Sequence, residues 1–317
     1  MSFLESLLPS INQNPPRAIV NDHWSQAPPM MPGVEFYCIP GLAAQYGKIF
    51  KNWQPAPDLI TTHAANVMVN RFAMNRWAAL KFAECLAVDF DYTYSGVHRD
   101  VDLSRYLHTL TPEHLGGGFN DDHRFHCLSP CALPTKWIYK DSQHIQTNQP
   151  GQSTAVINYG GNQWTWFNGL NRLFSCSAIS LITESACDLP GVVFTEKTIY
   201  AIMGMTMPIW VGAVGAAHQW KLHGFDIFED VIDHSYQWEQ DDMRRYWMAL
   251  YLNQDILSSL DHAREKRISM HERLAANLCL LQQGQLEKVI KHQIDSWPHD
   301  ISCLVRPVFR QGFEIDI

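Results

Sequence analysis

The sequence lacks long hydrophobic runs, and no stretch reaches the roughly eighteen uninterrupted apolar residues that a membrane-spanning helix needs. The longest mostly apolar stretch covers residues 200–218. Four turn-forming residues divide it: Gly204, Pro208, Gly212 and Gly215. We therefore expect a helix, a turn, a strand and a second turn there. Residues 1–5 show no basic region ahead of an apolar block, so we expect no secretory signal.

Positive charge is also scarce. The chain has 24 Lys and Arg residues against 32 Asp and Glu residues, which gives a formal net charge of −8. Non-specific coating of nucleic acid needs clustered Lys and Arg, so this composition disfavours it but still permits a local basic groove. The 8 cysteines are scattered along the 317 residues, which is typical of reduced thiols in a cytoplasmic protein.

The sequence does contain enough apolar material for a packed core. Hydrophobic residues make up 46% of the chain and charged residues 18%, a composition that excludes a mainly disordered protein. At about 150 residues per domain, the chain is long enough for two domains. We predict one domain at residues 1–145 and a second at residues 146–317.

The first half of the chain has a β-α-β pattern. Residues 9–57 are rich in proline, so regular structure there should be short. Residues 64–70 predict a strand, residues 71–87 a helix with good helix formers, and residues 89–94 an alternating strand. This order favours an α/β fold with a parallel sheet and crossover helices. Residues 103–150 predict irregular structure.

The second half begins with a predicted hairpin, in which a strand at residues 153–159 turns through glycines into residues 163–167. Strands are predicted at residues 179–183 and 207–211, with a helix between them at residues 197–205. Residues 241–296 have a helical pattern that Trp297-Pro298 should end.

The segment from Ile182 to Tyr236 carries the most information about function. Glu184 follows a predicted buried strand, at the end where ligands bind in open α/β sheets. Thr195 stands at a predicted helix N-cap, with Glu196 and Lys197 in the first turn. The N–H groups of a helix start can bind an anion such as a diphosphate, and Lys197 adds a positive charge. Glu196 can accept hydrogen bonds from ribose or sugar hydroxyls.

Further motifs follow at ordered spacing: Pro208-Ile-Trp-Val-Gly212, then Gly224-Phe225-Asp226-Ile-Phe228, then Asp233-His-Ser-Tyr236. Gly212 allows a backbone to approach a ligand closely. The series resembles the donor-binding motif of fucosyltransferase-type glycosyltransferases, in the version of small glycosyltransferase-like proteins of phages and large viruses. The Asn70-Arg71 pair and the helix with Arg76 also resemble that group. The resemblance covers roughly residues 64–96 and 176–246.

One position departs from that family's pattern. Where fucosyltransferases usually have Glu-Asn-Ser at the strand end, this chain has Thr183-Glu184-Ser185. The missing asparagine changes the expected contacts with the sugar and the base.

The resemblance implies a B-type glycosyltransferase with two Rossmann-like lobes and a helical C-terminal segment. Residues 1–145 would form the acceptor lobe and residues 146–317 the donor lobe. The implied reaction moves a sugar from a nucleotide-sugar to an acceptor hydroxyl, with inversion and without a metal or any further cofactor. The implied donor site comprises Glu184, Thr195, Glu196, Lys197, Gly212, Arg71 and Arg76.

The implied acceptor is a glycan or, as in phage-type DNA modification, a hydroxymethylated base. No membrane partner is expected, and a viral protein of this kind would work in the host cytoplasm. An inverting enzyme needs a base for the acceptor proton. Glu113, Asp121, Asp122 and His123 are candidates, and we choose Asp122.

Several alternatives stay open. Asp89 and Asp91 form an Asp-x-Asp pair, as in metal-dependent A-type glycosyltransferases. Four residues have spacing that a zinc site could use: His123, His126, Cys127 and Cys131. Trp164 and Trp166 could stack on a sugar or base, although core packing is the commoner role. Arg244 and Arg245 are interpreted as charges on a helix surface. A nucleotide- or glycan-binding protein without catalysis is the alternative from another class.

Overall fold

The computed structural model describes residues 18–21, 35–55, 60–69, 73–86, 90–94, 138–140, 143–149, 152–158, 173–184 and 191–312. The strands are β1 Ala18–Asn21, β2 Glu35–Cys38, β3 His63–Val69, β4 Phe90–Tyr94, β5 Ile138–Lys140, β6 Gln143–Gln149, β7 Gln152–Asn158, β8 Ser177–Ile182 and β9 Met207–Trp210. The helices are α1 Gly41–Ile49, α2 Met74–Leu86, α3 Glu196–Met203, α4 Ala216–Leu222, α5 Asp242–Tyr251, α6 Gln254–Leu257, α7 Leu260–Ser269, α8 His271–Gln282, α9 Gln285–Ser296 and α10 His299–Gly312. A 3₁₀ turn spans Ser235–Trp238.

A four-stranded parallel sheet organises the fold, with the strand order β4-β3-β8-β9. Ala65 of β3 pairs with Phe90 on one side and with Ile179 of β8 on the other. Ile179 in turn pairs with Met207 of β9. All of β8 is buried, as is β3 from its second residue onward, because strands at the centre of a parallel sheet are covered on both faces. The predicted α/β class and parallel sheet are confirmed.

Helices fill the connections between these strands and pack against the sheet. The crossover helix α2 joins β3 to β4, close to its predicted bounds, and packs against α5 through Trp77 and Trp247, whose ring centroids lie 6.1 Å apart. Helix α3 joins β8 to β9 and packs against α1, where Phe50 and Tyr200 meet at 5.8 Å. The predicted order of strand, helix and strand in residues 177–210 is confirmed.

A buried arginine holds the turn between α3 and β9. Arg267 is fully buried and donates to the carbonyls of Gly204 at 2.8 Å and Met205 at 3.0 Å, and to Thr61 Oγ1 at 3.1 Å. Among the described residues it has no carboxylate partner. Met205 has a φ of 52°, a left-handed conformation that is uncommon for a residue other than glycine. Arg267 stabilises this turn by binding two of its carbonyls.

Two sequence expectations need correction. Residues 103–150 are predicted to be irregular, but β5 and β6 lie within them. Strand β7 lies close to the predicted strand at residues 153–159 and pairs antiparallel with β6, whereas its predicted partner, residues 163–167, lies outside the described residues. Helix α10 continues the helical region beyond Pro298, which only separates it from α9. The physical reason is that a short polar strand such as β6 has no apolar periodicity to reveal it.

The central sheet takes strands from both sides of the predicted domain boundary. Strands β3 and β4 precede residue 145, and β8 and β9 follow it. The described residues also form two smaller sheets, the parallel pair β1-β2 and the antiparallel β5-β6-β7. The division into two lobes therefore stays a prediction. Among the described residues, no helix combines the length and apolarity required to cross a membrane.

Candidate functional site

The end of β8 and the start of α3 are joined through one carboxylate. Glu184 lies two residues past β8 and is buried. Its Oε1 accepts hydrogen bonds from the backbone N–H of Thr195 at 2.9 Å and from Thr198 Oγ1 at 3.0 Å, and its Oε2 accepts one from Thr195 Oγ1. An acidic group is favourable at this position because a helix N-terminus carries partial positive charge. Glu184 therefore binds the helix start that was expected to bind a ligand anion.

Thr195 is the N-cap of α3, as predicted. Its backbone is extended, and its side-chain oxygen accepts a hydrogen bond from the Lys197 N–H at 3.4 Å. This is the usual way in which a threonine side chain satisfies an otherwise unpaired N–H of a first helical turn. The same hydroxyl donates to Glu184, so it links the cap to the strand end.

Lys197 lies between two carboxylates. Its Nζ is 2.9 Å from Glu196 Oε1 and 3.8 Å from Glu184 Oε2, and it donates to Thr195 Oγ1 at 3.4 Å. The side chain of Lys197 is 9% exposed and that of Glu196 is 17% exposed. The ammonium group is thus held at the carboxyl edge of the sheet, and Glu196 is the more accessible of its two partners.

The pKa values of the two carboxylates, Glu184 and Glu196, are shifted in opposite directions. Burial, assisted by the negative charge of Glu196, raises the pKa of Glu184 despite the opposing effect of Lys197. Burial also acts to raise the pKa of Glu196, but the charge and hydrogen bond of Lys197 outweigh it, and that pKa is lowered. Glu196 is therefore the carboxylate that stays ionised most readily and accepts hydrogen bonds from hydroxyl groups.

Tyr46 of α1 adds a phenol that sequence reasoning missed. Burial, together with the negative charges of Glu196 and Glu184, raises the pKa of Tyr46 to about 12. Phe50, at the end of α1, contacts Tyr200 of α3. Tyr46 lies one helical turn before Phe50, and Glu196 lies one helical turn before Tyr200, so Tyr46 is on the side of α1 that packs against the start of α3. A proline-rich sequence offers no signal for a contact between elements about 150 residues apart.

The start of α2 completes this edge. Asn75 Nδ2 donates to the Glu184 carbonyl at 3.1 Å and to the Val211 carbonyl at 2.8 Å, so it bridges the ends of β8 and β9. Arg76 is buried and its Nε donates to the Thr183 carbonyl at 3.4 Å. The predicted site residues Arg76, Glu184, Thr195, Glu196 and Lys197 are thus close together. Sequence reasoning missed Asn75, which forms part of an ordinary-looking helix start.

Gly212 and Arg245 form a second group at the same edge. The Gly212 carbonyl, two residues past β9, accepts a hydrogen bond from Arg245 Nε at 2.6 Å. Arg245 also donates to the Glu239 carbonyl at 2.6 Å and pairs with Asp242. Its side chain is 2% exposed, so the expectation of a charge on a helix surface is wrong for Arg245. The helical sequence pattern correctly predicts that Arg245 lies on a helix. It does not predict the burial of Arg245, whose side chain contacts Gly212 and Glu239 on neighbouring loops.

The Gly224-Phe225-Asp226 motif has a structural role on another surface. Asp226 forms a bidentate ion pair with Arg273 of α8, with Nε–Oδ2 at 2.5 Å and Nη2–Oδ1 at 2.8 Å. Asn277 donates to the Asp226 carbonyl and accepts from the Asp226 N–H. Gly224 has a φ of 93°, which favours glycine. These contacts hold the loop that contains Gly224 and Asp226 against α8.

In the Asp233-His-Ser-Tyr236 motif, His234 and Tyr236 are buried, whereas Asp233 and Ser235 are exposed. His234 Nε2 donates to the Ile227 carbonyl at 2.8 Å, and its Nδ1 lies 3.3 Å from the Tyr236 hydroxyl. Burial lowers the pKa of His234 and raises that of Tyr236, so both side chains are neutral at pH 7.

Other predicted site residues lie outside the described ones, namely Asp122, Arg71, Asp89, Glu113, Asp121, His123, His126, Cys127, Cys131, Trp164 and Trp166. Asp91 is described and is buried on β4, where its Oδ1 accepts a hydrogen bond from the Tyr92 N–H at 3.1 Å. Within the described ranges, no group of three or more His, Cys, Asp or Glu residues could hold a metal ion.

Comparisons of the chain with protein-family models, curated proteins and solved structures returned no match. The fold and the site therefore define the class only as an α/β protein with polar and charged residues clustered at the carboxyl edge of a parallel sheet.

Proposed function

We propose that this protein is a glycosyltransferase that moves a sugar from a nucleotide-sugar to an acceptor hydroxyl. One observation carries the proposal. The Glu184 carboxylate binds the start of α3, and this contact places Glu196 and Lys197 at the carboxyl edge of β8, a central strand of the parallel sheet. Ligands of open α/β sheets bind at this edge. The order of Glu184, Thr195-Glu196-Lys197 and Pro208–Gly212 supports the same assignment through its resemblance to fucosyltransferase-type enzymes.

Each residue of the cluster has a distinct proposed role. Lys197 binds the diphosphate, and Glu196 accepts hydrogen bonds from the hydroxyls of the ribose or the sugar. Glu184 positions the other two, because its own oxygens are used by Thr195 and Thr198. When the diphosphate binds, Lys197 exchanges its contact with Glu196 for one with phosphate oxygens. That exchange frees the Glu196 carboxylate for hydroxyl groups.

Charge balance at this edge needs a second cation. Glu184 and Glu196 together carry more negative charge than Lys197 neutralises, and a diphosphate would add to it. Arg76, which binds the strand end beside Glu184, supplies the compensating charge. Arg71, from the family resemblance, is a further candidate for the phosphates.

The proposed transfer inverts the configuration at the anomeric carbon. The acceptor oxygen forms a bond to that carbon while the bond from the carbon to the diphosphate oxygen breaks. The bonding electrons leave with the diphosphate, and a base takes the proton of the acceptor hydroxyl. Asp122 is the proposed base. The same site without a functional base would make the chain a nucleotide-binding protein, and slow hydrolysis of a nucleotide-sugar in the absence of acceptor would identify an enzyme instead.

Calorimetric titration with ADP, CDP, GDP and UDP tests the donor site. We expect one of them to bind, and we expect Lys197→Met to weaken its binding by about tenfold to a hundredfold, as for the loss of one charged hydrogen bond. Methionine keeps the length of the buried stem. Lys291→Met, at an exposed position on α9, is the matched control and should leave binding unchanged. The absence of binding to the wild-type chain, or equal binding by Lys197→Met, would contradict the proposal.

A further inference from the structure

One large aromatic side chain is exposed close to the carboxyl edge of the sheet. Trp238, at the end of the 3₁₀ turn, is 54% exposed. The other large hydrophobic side chains exposed in the described residues are aliphatic: Ile49, Ile60, Leu222, Leu252 and Ile268. His218 of α4 is also exposed, and its ring centroid is 5.4 Å from that of Trp238 with an interplanar angle of 58°. Two rings therefore face solvent side by side.

The backbone beneath the two rings is held by hydrogen bonds. The Gln237 carbonyl accepts from the Gly215 N–H at 2.9 Å, and Gln237 Oε1 accepts from the His218 N–H at 2.7 Å. The side-chain amide of Gln240 donates to the Trp238 carbonyl at 3.0 Å. These contacts tie the 3₁₀ turn to α4, so the backbone that carries the two rings is ordered before any ligand arrives, and binding does not have to order it.

The two rings are connected to the candidate site through Arg245. Arg245 donates to the carbonyl of Glu239, the residue after Trp238, and to the carbonyl of Gly212 at the end of β9. Asn75 then joins the end of β9 to Glu184 at the end of β8. The ring pair thus lies along the same edge of the sheet as Glu184, but beyond β9 and separate from Lys197.

The charges around the ring pair favour a neutral ligand. Four acidic residues lie within five positions of Trp238 in the sequence: Asp233, Glu239, Asp241 and Asp242. The nearby cations of the described residues, Lys221, Arg244 and Arg245, already form ion pairs with Glu229, Glu239 and Asp242, respectively. Phosphate groups of a nucleic acid would be repelled here. An uncharged sugar ring meets no such repulsion, and its C–H groups are attracted to the electron-rich face of an aromatic ring.

We propose that Trp238 and His218, which lie within the predicted donor lobe of residues 146–317, form a binding subsite there for a neutral sugar ring of the acceptor. The assignment to the acceptor rests on the proposed glycosyltransferase function, whereas the binding of a sugar ring does not. The indole face of Trp238 stacks on the sugar ring, and His218 hydrogen-bonds to its hydroxyls. The proposal therefore selects a glycan, rather than DNA, as the acceptor class.

The test is binding of neutral oligosaccharides to the full chain. Maltohexaose, cellohexaose and chitotetraose are the probes, and saturation-transfer NMR and calorimetry are the readouts. We expect at least one to bind, and we expect Trp238→Ala to weaken it by about tenfold or more, as for other stacked rings. Trp238→Phe, which keeps an aromatic face, should retain most of the binding. Leu222→Ala removes another exposed apolar side chain and should change nothing.

Nucleoside diphosphate binding, measured on the same variants, separates this proposal from the proposed function. Trp238→Ala should bind nucleotide as the wild-type chain does. The subsite is refuted if no oligosaccharide binds, or if Trp238→Ala binds it equally well. Loss of nucleotide binding in Trp238→Ala would assign the Trp238 ring to the donor site and would overturn the proposal. If a filter-binding assay showed that the wild-type chain binds DNA and that Trp238→Ala does not, the ring would be assigned to a nucleic-acid base, which would also overturn the proposal. A further outcome separates the two proposals. If Trp238→Ala lost oligosaccharide binding and the wild-type chain bound no nucleotide, the glycosyltransferase function would be refuted while the sugar-binding subsite would be supported.

Discussion

The Thr195 N–H donates a hydrogen bond to the Glu184 carboxylate at 2.9 Å, across a chain separation of 11 residues. This contact explains why the acidic residue and the Thr-Glu-Lys sequence occur together. The acidic residue neutralises the helix start and holds it against the strand end, and Glu196 and Lys197 of the first turn then lie along the sheet edge. Glu184 is therefore a positioning residue.

Replacing Glu184 with glutamine should destabilise the fold. The carboxylate accepts three hydrogen bonds, two from Thr195 and one from Thr198, and an amide has only one oxygen to accept them. We expect a loss of about 1–3 kcal/mol in the free energy of unfolding, measured by urea denaturation. Glu272→Gln, at an exposed position in the first turn of α8, is the control and should lose less than about 1 kcal/mol. Equal stability of Glu184→Gln and the wild-type chain would mean that the contact does not hold α3.

Glu196 should matter for sugar hydroxyls and not for the diphosphate. In Glu196→Gln the amide no longer pairs as an anion with Lys197, so the ammonium group is at least as free to bind phosphate. We expect the affinity for the free nucleoside diphosphate to stay within about threefold, while transfer or hydrolysis of the nucleotide-sugar falls by about tenfold or more. Calorimetry and product analysis give the two values. If both fell together, the separate roles of Glu196 and Lys197 would be wrong.

His223 should make stability depend on pH. Burial lowers the pKa of His223 from 6.5 to about 4, and within the described residues its Nε2 has no hydrogen-bond partner. Between these two pH values the unfolded chain binds a proton that the folded chain does not, so stability falls as the pH decreases from 6.5 to 4. The full effect is about 3 kcal/mol.

His223→Phe should remove most of that dependence, because the ring already packs against Phe194 and Trp220 and the substitution removes the unpaired Nε2. Urea denaturation at a series of pH values measures it. His292→Phe, at an exposed position of α9, serves as the control. His234, whose pKa is lowered mainly by burial, should leave a residual dependence of the same sign. A slope in His223→Phe equal to that of the wild-type chain would contradict this account.

Arg267→Lys should lower the free energy of unfolding far more than Arg264→Lys on the same helix. Arg267 binds three separate oxygen atoms around the turn from α3 to β9, and a single ammonium group cannot reach all of them. We expect a loss of about 2–4 kcal/mol in unfolding free energy from the oxygen atoms left unpaired. Arg264→Lys, on the same helix and with its side chain 41% exposed, is the matched control and should lose less than about 1 kcal/mol. Similar losses in the two variants would show that the turn does not depend on Arg267.

Much of the central fold follows from the sequence alone. The apolar strands β3, β8 and β9, the helix α2 and the N-cap at Thr195 were all predicted near their observed bounds. Buried residues recur about every 3.6 residues along a helix and every two residues along a strand, and a helix cap depends on residues within one turn. Such features can be read from residues that are neighbours in the chain.

Only the tertiary structure decided which groups meet. The Glu184 carboxylate faces the helix start, Asn75 bridges the ends of two strands, and Arg245 is buried beneath Gly212. Trp238 likewise lies beside His218 of α4. The contacts of Asn75 and Arg245 join elements that other strands or helices separate in the chain, and the geometry of the whole sheet and its covering helices determines them. Local periodicity and capping contain no information about such long-range pairings.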